Sequence, residues 1–181
     1  MQISCTIRAK ILLRAYDGWI DKNQSVLDVG CGNGTMAKII QNRIGCRIEG
    51  TDIMNFLRFD IPFQMMKNDE ELPYGDRSFD IVMLNDVLHH TKKAIRILKE
   101  SIRVGKNVLI FETKPTLISK ILDYVLNWAH LYSGMPIPLT HKTLDEWLEV
   151  FRDLGLNVEY REFHRAKAYP LTHYSFRIEP Q

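Results

Sequence analysis

Cysteine is scarce in this chain. The three residues, Cys5, Cys31 and Cys46, are odd in number and form no C-x-x-C pair, which argues against a disulfide framework and against a cysteine-built zinc site. Long apolar runs are missing too. No uninterrupted stretch approaches the roughly 20 residues that span a bilayer, and the first residues lack the apolar core and small-residue cleavage site of a secretory signal. Neither sign of charge prevails: 24 Lys+Arg stand against 22 Asp+Glu, a formal net charge of +2. No global field therefore points to nucleic acid or an anionic membrane. Repeats and low-complexity segments are absent as well. These absences leave a soluble, cytoplasmic protein in a reducing compartment as the expectation. At 181 residues and 45% hydrophobic, the chain supplies one well-cored domain, read as 1–181, and not two.

What is present is organised around Val26-Leu27-Asp28-Val29-Gly30-Cys31-Gly32-Asn33-Gly34-Thr35. A β-branched run ends near an acid, and three glycines at alternate positions lead into an apolar-periodic segment, the pattern of strand, tight turn and helix start. Such glycines permit positive φ and close approach of a ligand, while the helix start offers free N–H groups and a positive dipole end. A structural turn or a nucleotide seat has similar features, but the spacing G-x-G-x-G is not the G-x-G-x-x-G of dinucleotide enzymes.

The segment Asp28 to Gly34 resembles the first motif of class I S-adenosylmethionine-dependent methyltransferases, specifically the small-molecule type with the pattern LDVGCGxG. The resemblance implies that Asp28, Gly30, Cys31, Gly32 and Gly34 seat the cofactor S-adenosylmethionine. The next strand ends at Asp52. In the family an acid there binds both ribose hydroxyls, and Ile53 packs on the adenine face; the bland alternative is an Asp opening a turn. Asn68-Asp69-Glu70-Glu71-Leu72-Pro73-Tyr74 resembles the segment whose acid, here Asp69, accepts from the adenine amino group, with the backbone of Glu70 helping to define the base. A solvated acidic loop is its rival. Asp76 to His90 resembles (D/G)xSFDxVxxxxVLHH, which implies that the backbone carbonyl of Asn85 receives the cofactor's ammonium. That segment lacks the N/D-P-P-Y/F tetrad of amino-methylating DNA enzymes, and no Pro-Cys nucleophile occurs. His89 and His90 invite a general-base reading, although the pair recurs in the family across unlike substrates, which fits a structural role.

The remaining elements follow from periodicity. An amphipathic helix is expected within residues 1–22, around Thr6 to Trp19, and a helix after Gly34 that buries Met36, Ala37, Ile39, Ile40 and Ile44 and stops at Gly45. Strands follow at about Cys46–Thr51, Phe63–Lys67, Ile81–Leu84 and Lys106–Glu112, with Thr91–Val104 a helix that buries Ile95, Leu98 and Ile102. Its basic side, Lys92, Arg96, Lys99 and Arg103, is either a solvated face or a patch for an anionic partner. Residues 114–142 carry a broad apolar helical surface, read as a helical lid inserted after the fifth strand; contact with a membrane surface or a second copy in a homodimer is the alternative, and a monomer is equally compatible. Thr143 and Glu146 form a capping box for the last helix, which Gly155 ends. Two closing strands, Asn157–Phe163 and His173–Ile178, pair antiparallel.

The fold expected is therefore a single α/β, Rossmann-like, doubly wound seven-stranded sheet, mostly parallel with an antiparallel last strand. The activity implied is methyl transfer to a small-molecule acceptor, partly hydrophobic if the insert covers it, by in-line displacement at the sulfonium methyl. Alignment and exclusion of water do most of the work. Should the acceptor need a base, His89, His141 and His173 are the candidates; no metal is called for. An RNA methyltransferase would instead require Lys92, Arg96, Arg161, Arg165 and Lys167 to form one basic surface, and a noncatalytic cofactor-binding module would keep the same fold.

Overall fold

A computed structural model of the chain describes residues 2–121, 140–163 and 171–179. Its strands are β1 (Ser25–Val29), β2 (Arg47–Asp52), β3 (Phe63–Met65), β4 (Phe79–Asn85), β5 (Gly105–Thr113), β6 (Asn157–Phe163) and β7 (His173–Glu179). They form one sheet in the order β3-β2-β1-β4-β5-β7-β6. From β3 to β5 every pairing is parallel. The last strand runs the other way, wedged between β5 and β6 and antiparallel to both.

Alternation along the strands sorts the core into two layers. Val26, Ile81, Met83, Leu109 and Phe111 face one side, with residues of α1 (Gln2–Ala15) and α2 (Thr35–Ile44). Leu27, Val29, Val82, Leu84, Val108 and Ile110 face the other, with α3 (Ala94–Val104) and α4 (Leu144–Asp153). α1 starts and stops earlier than its apolar pattern implies: Gly18 at φ 71 turns the chain, and Tyr16 and Trp19 extend the buried face beyond the helix. α2 ends as expected, Gly45 taking φ 82 and donating its N–H to Gln41 O. In α3 the stripe against the sheet is Ala94, Ile97, Leu98, Ser101 and Val104, rotated from the expected Ile95, Leu98 and Ile102. The stripe includes the small residues Ala94 and Ser101, and the Ser101 hydroxyl donates to Ile97 O at 2.8 Å. The turn before α3 is a short 3-10 helix, Leu88–His90. α4 carries the complete Thr143–Glu146 capping box.

Because β1 connects outward to β2 on one side and pairs with β4 on the other, the carboxyl ends of β1 and β4 flank the sheet's topological switch point, where α/β sheets open a crevice. The insert begins as a helix at residues 117–121; the greater part of the expected lid, residues 122–139, lies outside the described residues, as do Arg165, Lys167 and Tyr169.

Candidate active site

The glycine turn leaves the end of β1 with Gly30, Gly32 and Gly34 at φ 68, 52 and 75, a region side chains disfavour. A Cβ on Gly30 would stand 2.6 Å from Val87 Cγ2, whereas one on Gly32 would meet nothing within 4 Å. The turn is thus packed on its inner side and open at its crest. Thr51 O accepts from Gly30 N and Cys31 N at 2.8 and 3.2 Å, tying the turn to β2. Next along β2, Asp52 accepts from Gly32 N at 2.9 Å and from Ile53 N at 2.8 Å. Burial raises its pKa, and the N–H groups of Gly32, Ile53 and Met54 work against that rise. Cys31 fills space: a Cβ on Gly50 would lie 2.7 Å from its Sγ, and burial, then Asp28 and Asp52, push its thiol up, away from thiolate chemistry.

Beneath the turn lies a closed polar chain. Tyr16 OH donates to Asn85 Oδ1 at 2.6 Å, and Asn85 Nδ2 donates to Asp28 Oδ1 at 3.0 Å. Asp28 is 2% exposed. Burial pushes its pKa up to about 7; the Asn85 hydrogen bond and Arg8 pull it down, and Asp52 pushes it further up.

Asp86 follows Asn85 with φ 55, a left-handed backbone that a non-glycine residue adopts only when its surroundings hold it there. Three elements do so. Arg8 Nη2 of α1 donates to Asp86 Oδ2 at 2.9 Å, Thr113 Oγ1 of β5 donates to Oδ1 at 2.8 Å, and His173 Nε2 of β7 lies 3.5 Å from Oδ2. Burial opposes the charge on Asp86, but His173 and Arg8 outweigh it and hold the carboxyl well below its ordinary range. His173 itself is buried, stacked on Phe111 with centroids 4.2 Å apart.

On the other face of the sheet, Glu112 is 2% exposed. Its Oε1 accepts from Val87 N and Leu88 N at 2.9 and 2.7 Å, and its Oε2 lies 2.6 Å from His89 Nδ1. His141 stacks on His89 at 4.4 Å, and Thr140 N donates to His89 O at 2.9 Å. The far end of the insert is thereby pinned to the turn after β4. Donor atoms of Asp86, His89 and Glu112 lie within 4.8 Å of one another, yet Glu112 has three N–H partners and Asp86 is matched by Arg8, so the grouping is satisfied without a cation. Glu112→Ala would strip the buried turn of its acceptor. A loss of about 3–5 kcal/mol of stability is expected, read from denaturant midpoints at constant m-value.

The structure therefore joins Asp28, Gly30, Cys31, Gly32, Asp52, Ile53 and Asn85 in one region at the carboxyl edge, with Gly34 closing the turn. His173 borders the same region on the α1/α2 face, while His89 and His141 form a separate stack around Glu112. Asp69 and Glu70 are not brought into contact with the turn. Asp69 accepts from Thr91 Oγ1 at 2.8 Å, Glu70 pairs with Lys93 and Arg96, and Glu70 N donates to Asn68 Oδ1 at 2.8 Å. An adenine contact from Asp69 would have to be shared with Thr91.

Sequence reasoning missed Arg8, Tyr16, Asp86, Glu112 and Thr113. Two of these left a signal. Arg8, Leu12 and Tyr16 recur every four residues, on one helical face, and Glu112 shares its strand parity with the buried Val108 and Ile110.

Comparison with known proteins bears on the family and the fold. A family model described as a methyltransferase domain matches residues 2–161. Demethylmenaquinone methyltransferase of Halalkalibacterium halodurans is 31% identical over 151 residues, 72% of this chain and 60% of that protein. Chavicol O-methyltransferase of Ocimum basilicum is 26% identical over 171 residues, 84% of this chain and 46% of that protein. The chain spans between about half and three-fifths of the length of such curated relatives. Among solved structures, a SAM-dependent methyltransferase from Archaeoglobus fulgidus superposes with a TM-score of 0.72 at 16% identity, covering 97% of this chain and 94% of that one.

Proposed function

The chain belongs to the class I S-adenosylmethionine-dependent methyltransferase family, and on that premise we propose that it transfers a methyl group from S-adenosylmethionine to a small-molecule acceptor. The observation that carries the proposal is the junction of Asp52 with the glycine turn, where a carboxylate and open backbone meet at the switch point of the sheet. When bound, S-adenosylmethionine supplies a methyl on a positively charged sulfur, which passes to an acceptor lone pair as the sulfur becomes a neutral thioether.

The protein's task is placement. Asp52 retains acceptor capacity for a vicinal diol beyond its two N–H bonds. Gly32 leaves its crest bare for the amino-acid tail, Asp28 and the Asn85 carbonyl provide for an ammonium, and Ile53 offers an apolar wall for a base. Asp69 and Glu70 stand as the outer limit of the adenine site. Where the acceptor gives up a proton, His89, His141 and His173 are the candidate bases; His89 is oriented by Glu112 and His173 by Thr113, and His141 stacks on His89. At the start of the insert, Leu117, Ile118 and Ile121 are 77%, 48% and 54% exposed, which supports an acceptor with an apolar portion.

The RNA reading lacks its basic surface among the described residues. Arg96 is paired with Glu70, and Arg161 lies over the Trp19 ring and donates to Asp17 O at 2.8 Å. No helix among the described residues is long and apolar enough to cross a membrane. Isothermal titration tests the cofactor half directly: S-adenosylmethionine is expected to bind in the ~1 μM to 1 mM range usual for enzyme substrates. Failure to bind it, or tighter binding of NAD, would overturn the proposal.

A further inference from the structure

The basic side of α3 closes with a side chain turned onto the protein's own backbone. Arg103 Nε and Nη2 donate to the two carboxylate oxygens of Glu100 at 2.8 and 2.7 Å. Nη2 also donates to Leu72 O at 3.3 Å, and Nη1 donates to Tyr74 O at 2.9 Å and to Asp76 Oδ1 at 2.8 Å. A guanidinium carries five N–H donors, so every one of them is engaged. Glu100 completes the grip, its Oε2 accepting from Leu72 N at 3.0 Å. Leu72 is therefore held at both its N–H and its C=O. Arg103, and then Leu72 N–H, hold the Glu100 carboxyl below its ordinary range against the opposing effect of burial.

Leu72 comes two residues after Glu70 and three after Asp69, the pair that the cofactor reading above assigns to the adenine. Resting on that reading, we propose that Arg103, acting through Leu72, is the positioning residue that fixes the adenine-recognising segment 69–71. The start of the segment is held locally: Asn68 Oδ1 accepts from Glu70 N and Glu71 N at 2.8 and 3.1 Å, and Thr91 Oγ1 donates to Asp69. Its other end has Arg103 and Glu100. Asp69 is 42% exposed, and a surface segment with so little packing of its own takes its order from such anchors. Further along, Tyr74 meets Phe79 edge-on at 5.1 Å and donates to Glu49 Oε1 of β2 at 2.8 Å. The loop thus bridges α3 and the strand that ends in Asp52, which keeps the base's polar edge in register with the proposed ribose acid. Arginine suits this place because its planar fork serves a carboxylate and several carbonyls at once, which the point charge of lysine does not. Leu72 and Tyr74 are also packed into the core, so loss of Arg103 should blur the segment and leave the fold standing.

The test compares S-adenosylhomocysteine with S-inosylhomocysteine, which carries an oxo group where adenine carries its amino group. Each is titrated calorimetrically into wild type, Arg103→Gln and Arg103→Lys, with folding verified by circular dichroism. Wild type should prefer the adenine ligand by about 10- to 100-fold, the size of a hydrogen bond to a charged group. Arg103→Gln should lose about 10-fold in affinity for that ligand, while its affinity for the inosine ligand, which has no such bond to lose, stays within about 3-fold. Arg103→Lys should be intermediate, and it carries the comparison if Arg103→Gln proves too unstable to titrate. Equal losses for both ligands, or a preference that neither substitution alters, would make Arg103 a merely structural residue and overturn the proposal. So would a wild type indifferent to the amino group. If wild type binds neither ligand nor S-adenosylmethionine, the cofactor reading itself fails and takes this one with it.

Discussion

Asp52→Ala is expected to weaken S-adenosylmethionine binding about 100-fold or more. The proposed role gives Asp52 two hydrogen bonds from ribose hydroxyls to a carboxylate, and such bonds contribute about 1.5–3 kcal/mol each, each 1.4 kcal/mol being tenfold. The same carboxylate accepts from Gly32 N and Ile53 N, so its removal also loosens the glycine turn. Asp52→Asn separates the two effects. The amide oxygen can still accept from a turn N–H, but it no longer offers a charged acceptor to the diol, and an intermediate loss of about 10-fold is expected. Titration calorimetry on folded variants, verified by circular dichroism, checks this; affinity unaltered by both substitutions would remove Asp52 from the site.

A second large effect concerns pH, through Asp28. Its folded pKa, pushed up to about 7 by burial, lies above the unfolded value near 3.9. The fold therefore prefers the protonated acid. That contribution to stability is complete below about pH 4 and is lost progressively as pH rises through 7, to a total of the order of 4 kcal/mol at 1.36 kcal/mol per unit. Asp28→Asn should accordingly raise the unfolding free energy of the ligand-free protein at pH 8 while changing it little at pH 4.

Cofactor binding should carry the opposite preference, because an ammonium favours the ionised carboxylate. The wild-type dissociation constant for S-adenosylmethionine is expected to fall by up to about tenfold per unit as pH rises toward 7, and then to level off. Close to one proton should be released on binding at pH 6 and almost none at pH 8, measurable by titration in buffers of different ionisation enthalpy. Affinity that does not vary between pH 6 and 8, with no proton released, would show that Asp28 does not answer the ammonium. A variant that binds more weakly yet unfolds less readily is the signature of a site that gives up stability for function.

Much of this architecture is local in origin, and for that reason was legible in the chain. The glycine turn, the stop at Gly45, the Thr143–Glu146 capping box and the alternation of the strands each depend on residues a few positions apart. So does the antiparallel ending, since the short connection between β6 and β7 leaves little room for a crossover. Helix faces were read less well. The stripe of α3 that meets the sheet, Ala94, Ile97, Leu98, Ser101 and Val104, keeps the helical period but includes a buried serine that an apolar pattern does not pick out.

By itself, then, the sequence determined the order and kind of the elements and the glycine turn proposed as the seat of the cofactor, because hydrophobic period, glycine φ and capping chemistry act over short distances. Only the tertiary structure decided what surrounds that seat. Tyr16 meets Asn85 across 69 positions and Arg8 meets Asp86 across 78, and such pairings are set by where the layers come to rest. Burial, also a property of the finished fold, is what turns Asp28 from an ordinary acid into a group poised near neutral pH.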